Sequence, residues 1–143
     1  MSEARGGTRA ADPRHAAALA EARALIGRLQ AEGRHHVAAT LLTEHGSYSA
    51  VSLECLLPRG SICAEPGALA QAAEAEPGAP ILFAVAVNRR GEVIPPCAFC
   101  RELLIDYGPE AVVAVGEEAG ELRLRPLADL LPDAYKAHVR GVR

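Results

Sequence analysis

The sequence of 143 residues predicts an α/β protein, a three-layer α/β/α domain built on a mixed five-stranded sheet. Two observations carry that prediction. Helical and extended segments follow one another as α-β-β-α-β-α-β-β-α, an order that lays helices on both faces of a sheet. Two short apolar runs, "ILFAVAVN" from Ile81 and "AVVAV" from Ala111, have the unbroken hydrophobicity of strands buried on both sides.

Each element has a local reason. Residues 1–13 carry glycines, charges and Pro13 and read as a disordered tail; 14–143 read as one domain. Asp12 and Pro13 cap a helix over 14–32, in which Leu19, Ala22, Leu25, Ile26 and Leu29 recur at helical spacing. Gly33 is its expected end. "HVAATLL" from His36 reads as a strand, 44–46 as a hairpin turn and "SYSAVSLE" as the return strand. After the loop "LLPRGS", a helix runs over 63–75 and "EPGAP" stops it. The strand from Ile81 turns at Arg89-Arg90-Gly91, and Pro95-Pro96 precede a helix over 97–107. The strand from Ala111 is followed by an exposed one, "ELRLR". "PLADLLPDAYKAHV" is expected to be helical with a break at Pro132.

Composition narrows the function. Half the residues are hydrophobic, 23% are charged and the net charge is −3, as in an ordinary soluble domain with a real core. Arginines are scattered and aromatics make up only 3%, which argues against a nucleic-acid surface. No apolar run approaches the roughly 20 residues of a membrane span, and the N-terminus lacks the apolar stretch of a secretory signal. The expected location is the cytoplasm. There, four cysteines point to metal ligands or reactive thiols rather than a disulfide framework.

The chemistry lies in two stretches. "ICAEPGAL" places Cys63 at a helix start with Glu65 two residues on, and "PPCAFCREL" places Cys97 and Cys100 one helical turn apart. Helix N-termini carry partial positive charge, which favours thiolates. Three thiolates around zinc leave one tetrahedral position open, the mark of a catalytic rather than a structural site. Water in that position loses its proton readily, and Glu65 is placed to take it without ligating the metal. Pro66 is tolerated in the first turn, where an N–H has no intrahelical partner. Arg101, beside Cys100, is placed to donate hydrogen bonds to the sulfurs and offset their negative charge.

Written out, the pattern is Cys63-x-Glu65…Pro96-Cys97-x-x-Cys100. It resembles the zinc-dependent cytidine deaminase superfamily in its three-cysteine form. The spacing between halves is close to that of the small homotetrameric cytidine deaminases, and "GRHHVAATLLTEHG", "SAVSLE" and "LLPDAY" extend the likeness over nearly the whole chain. The resemblance implies one Zn²⁺ per subunit on Cys63, Cys97 and Cys100, and Glu65 as proton shuttle. It also implies attack at C4 of a cytosine-like ring with loss of ammonia, within a homotetramer of pyrimidine salvage. It places substrate contacts at Ser52, Glu54, Ala64 and His35. Tyr135 is either a core residue of the last helix or a side chain reaching a neighbouring pocket.

Departures leave the substrate open. The family's Asn-x-Glu before the first cysteine is Ser52-Leu53-Glu54 here, and His35 stands where an aromatic usually borders the pyrimidine. Cytidine or deoxycytidine comes first; another aminated heterocycle, such as a nucleoside antibiotic handled by the related blasticidin S deaminases, is the alternative. Three readings of a different class also stand. Cys55 could complete a closed four-cysteine structural zinc site, though its default is a buried free thiol; or the chain could be a ligand-binding module without turnover. The Cys97-x-x-Cys100 pair could serve thiol–disulfide exchange, which leaves Cys63 and Glu65 unexplained. His15, His45 and His138 read as surface residues. His35 and His36 alternate faces, so one faces the core or pocket and the other solvent.

Overall fold

The computed structural model describes residues 12–135. Most of the expected tail, His138 and the end of the expected last helix lie outside the described residues.

Asp12 opens α1 (Pro13–Leu29). Its carboxylate accepts the Arg14 N–H at 2.8 Å, and Pro13 takes a first-turn position where a missing N–H costs nothing. Ala18, Leu19, Ala22 and Ile26 form its buried stripe. The helix ends before Gly33, because Gln30 already turns to extended backbone. Gly33 instead sits at φ +70° in the tight turn that follows, across which Ala31 and His35 pair. Glycine enters that left-handed region without steric cost.

The strands are β1 (Val37–Leu42), β2 (Ser47–Val51), β3 (Phe83–Asn88), β4 (Val93–Ile94), β5 (Val112–Glu118) and β6 (Glu121–Pro126). The five longer ones lie in the order β2-β1-β3-β5-β6, and the two-residue β4 pairs with β3. Every pairing is antiparallel except β3 with β5. β4 is thus a sixth strand beyond the five expected; two residues show no alternation, and Pro95 stops the pairing. α2 (Ala64–Ala75) links β2 to β3, and α3 (Ala98–Tyr107) provides the crossover that the parallel β3–β5 step requires.

Alternation along β3 builds the three layers. Phe83, Val85 and Val87 pack with the α1 stripe. Ala84 and Ala86 face the other way, into the clusters that hold Leu41, Leu69 and Leu104, and Ala39 and Ala64. Both faces of β3 are therefore covered, as its unbroken apolar run requires. The second face is rich in alanine, which lets α2 lie close to the sheet. A β-carbon at Gly67 would come within 2.9 Å of the Ala50 β-carbon. His15, expected at the surface, instead lies flat on buried Phe83, ring centroids 4.0 Å apart, because the first turn of α1 covers the start of β3.

Beyond β6 the expected α-helix is, through residue 135, only a 3₁₀ turn, Leu127–Leu130. Leu127 is fully buried, with its N–H on the Ala111 carbonyl at 2.8 Å, and Asp133 at φ +53° is incompatible with helix continuation. No helix among the described residues is long and apolar enough to cross a membrane.

Candidate functional site

The N-termini of α2 and α3 meet on one side of the sheet. Cys63 is the residue that caps α2 and Cys97 the one that caps α3, both in extended backbone. Cys100 lies in the first turn of α3, fully buried. Its N–H donates to the Cys97 sulfur at 3.4 Å, so the α3 cap itself aims one thiol at the other. Cys63 Sγ and Cys97 Sγ are 3.4 Å apart, and all three sulfurs lie within 4.8 Å of one another.

Glu65, one residue inside α2, is only 4% exposed. Its Oε2 accepts a hydrogen bond from the Cys100 thiol at 3.3 Å. Buried carboxyl groups need such partners.

The titration behaviour reports the same crowding. Burial, then the Glu65 charge, push the Cys100 thiol far up. Burial and the bond with Cys97 raise Cys63. Burial also opposes ionisation of Cys97, but the Cys100 N–H and the two neighbouring thiols draw it below the ordinary thiol value. A cation at the centre would turn this mutual repulsion into ligation, and coordinated thiols are held deprotonated. Tetrahedral zinc with Zn–S bonds of about 2.3 Å sets its sulfurs about 3.8 Å apart. The observed cluster spans that separation, so the donor set fits such an ion. Arg101 departs from expectation. Its Nε donates to the Pro96 carbonyl at 2.8 Å and its Nη1 to the Leu130 carbonyl at 3.3 Å. The guanidinium thus ties the turn before Cys97 to the 3₁₀ segment and does not reach the sulfurs.

A cavity of about 260 Å³ opens beside the cluster, walled by Val37, Ser52, Glu54, Ser61, Ile62, Cys63, Glu65, Ile94, Pro95 and Cys97. Among the described residues, no Lys, Arg or His lines it. Its walls are mostly apolar, with Ser52, Glu54, Ser61 and Glu65 as the oxygen-bearing side chains. Ser52 and Glu54, both expected at the site, line it. The Ser52 hydroxyl accepts the N–H groups of His36 and Val37 at 3.0 and 3.1 Å. Its oxygen is fully used, and what it still offers the cavity is its own hydrogen.

Other expected residues go elsewhere. His35 is not a cavity wall; its Nδ1 pairs with the Ser52 carbonyl at 2.8 Å. It is His36 whose Nδ1 stands 3.7 Å from the Glu54 carboxylate. The turn at Gly33 sets this phase, which strand alternation alone leaves undecided. The Ala64 side chain packs with Ala39 and Ala86, so any part it takes in binding falls to its backbone. Cys55 is exposed rather than buried and lies outside the thiol cluster, on the loop between Leu53 and Ile62. That placement removes the closed four-cysteine site. Tyr135 is half exposed at the end of the described chain. The walls Ser61, Ile62, Ile94 and Pro95 gave no sign in the sequence. They come from a loop base and a strand too short to carry a pattern.

No family model matches the chain. Among curated proteins, the blasticidin-S deaminase of Bacillus cereus is 33% identical over 118 residues, covering 77% of this chain and 84% of that protein. Among solved structures, the cytidine deaminase of Burkholderia pseudomallei matches with a TM-score of 0.70 and 29% identity, over 85% of this chain and 98% of that one. The cytidine deaminase of Mycobacterium tuberculosis matches with a TM-score of 0.72 and 25% identity, over 87% and 99%. A mixed sheet between helices, a thiol cluster at two helix N-termini and these relatives agree: the chain belongs to the cytidine deaminase-like superfamily.

Proposed function

We propose that the protein is a zinc-dependent hydrolase that deaminates a cytosine-bearing nucleoside, cytidine or deoxycytidine, with release of ammonia. The observation that carries this reading is Glu65, a buried carboxylate bonded to the Cys100 thiol and facing the cavity. Cys63, Cys97 and Cys100 would hold one zinc per subunit. Bound zinc supplies the Lewis acidity that makes water a nucleophile near neutral pH. Glu65 would take a proton from the attacking water and pass it to the ring nitrogen beside the carbon under attack. It would then take the remaining proton from the hydroxyl added to that carbon and give it to the departing amine as the C–N bond breaks. The apolar walls Val37, Ile62, Ile94 and Pro95 clasp the ring and exclude bulk water. Ser52 and Glu54 offer a donor and an acceptor to its substituent. The same reading carries a cytoplasmic homotetramer in pyrimidine salvage.

A second reading takes a nucleoside antibiotic of the blasticidin S kind. Ser52 in the family's Asn position and the likeness to the Bacillus cereus protein favour it. One assay separates the two: ammonia release by the zinc-loaded protein from cytidine, deoxycytidine, free cytosine, blasticidin S and an aminopurine nucleoside. Turnover of cytidine or deoxycytidine is expected. Turnover of blasticidin S alone selects the second reading, and no release from any of the five rejects both.

A further inference from the structure

The chemistry above gives His36 no part, yet its ring stands between two groups that constrain it. The Gly33 N–H donates to Nε2 at 3.1 Å. A ring nitrogen that accepts a hydrogen bond carries no proton, so the neutral ring keeps its proton on Nδ1. Nδ1 is the atom that faces Glu54, 3.7 Å from Oε1. Glu54 is held a second time by the same turn, since its N–H donates to the Arg34 carbonyl at 3.0 Å. The turn itself depends on Gly33 at φ +70°. The turn at Gly33 thus holds the Glu54 backbone and sets the His36 ring beside its carboxyl group, and Glu54 walls the cavity.

We propose that His36 is the positioning residue of substrate recognition: its Nδ1–H holds one oxygen of Glu54, leaving the other for a hydroxyl or amine of the substrate. The proposal rests on the nucleoside deaminase reading and deepens it. The observed 3.7 Å is longer than a hydrogen bond, and such contacts in ligand-free sites commonly tighten in the complex. The substrate class follows from the surroundings. Among the described residues no basic side chain walls the cavity, so a neutral or cationic substituent suits Glu54 better than a phosphorylated one.

Two measurements test this. The first needs no substrate: ¹⁵N NMR of the ligand-free protein reads the His36 tautomer. A ring protonated on Nδ1, with resonances that move in Glu54→Gln, is expected. A ring protonated on Nε2, or one indifferent to Glu54→Gln, overturns the proposal. The second is steady-state kinetics on whichever of cytidine, deoxycytidine or blasticidin S is turned over. A charge-assisted hydrogen bond is worth enough that His36→Leu should raise KM about tenfold with kcat nearly unchanged. His36→Asn, whose amide nitrogen overlays Nδ1, should recover most of that loss. Adding His36→Leu to Glu54→Leu should cost nothing more, since the pair acts as a unit. An unchanged KM in His36→Leu, or no recovery in His36→Asn, refutes positioning. Failure of the wild-type protein to release ammonia would reject the proposed function alone, and the tautomer measurement would still decide His36.

Discussion

Replacing Glu65 with Gln separates the proposed metal site from the proposed catalysis. Glu65 is 4% exposed and bonded to Cys100 at 3.3 Å, so a charged-to-neutral change there alters chemistry without altering volume. The glutamine amide fills the same space and still meets the Cys100 sulfur, and the ligand set of Cys63, Cys97 and Cys100 is untouched. Zinc content and melting temperature should therefore stay close to those of the wild-type protein. Turnover should not. Positioned general acid–base catalysis contributes about 10²–10⁴-fold, equivalent to roughly 3–5 kcal/mol of barrier. Because Glu65 is asked to move more than one proton, the loss should lie at the upper end. Ammonia release and bound zinc are measured on the same preparation. Full activity in the variant would refute the shuttle. Loss of zinc with the fold retained would mean that Glu65 belongs to the ligand set.

Two further outcomes follow from residues outside the reaction. Arg101→Gln removes donors from the Pro96 and Leu130 carbonyls and should lower stability by about 1–3 kcal/mol with zinc content unchanged; an unchanged melting temperature with reduced turnover would instead return Arg101 to the sulfurs. Glu76 is held below the ordinary carboxylate range, first by the Thr43 hydroxyl and then by Tyr48. Its contribution is therefore complete above the unfolded value of about 4.3 and is lost as pH falls through the lower folded value. Thermal melts from pH 6 downward should show the wild-type protein losing stability more steeply than Glu76→Gln, and parallel curves would show that Glu76 is not linked to folding.

The parts legible in the sequence were those whose cause is local. The β3 run announced a strand covered on both faces, and Asp12-Pro13 announced the start of α1, because capping and burial act within a few residues. The thiol cluster was legible for the same reason: Cys63 and Cys97 occupy equivalent cap positions on two helices, and Glu65 and Cys100 follow within one turn. What failed depended on partners far along the chain. Arg101 is drawn away from the sulfurs by Leu130, 29 positions on, whose carbonyl no spacing rule points to. Cys55 is exposed because residues between Leu53 and Ile62 form a loop closed by one bridge, whereas a cysteine taken alone reads as buried. Beyond β6, Leu127 is fixed by the Ala111 carbonyl, and that anchor, with Asp133 in the left-handed region, overrides the helical character of the stretch.

The electrostatics of the cavity join these strands. Three thiols and two carboxyl groups, Glu54 and Glu65, crowd one small space, and no basic side chain among the described residues walls it. Burial and these neighbours raise the Cys63 and Cys100 thiols, while Cys97 is drawn below the ordinary thiol value. The fold offsets part of that cost with the positive ends of α2 and α3, each capped by a cysteine. A helix terminus supplies only about half an elementary charge, so two of them cannot balance the set. A divalent cation held by the three sulfurs would offset more of it and leave Glu65 outside the ligand set. The three sulfurs, set within 4.8 Å of one another beside the cavity, are where a cation would offset that crowding.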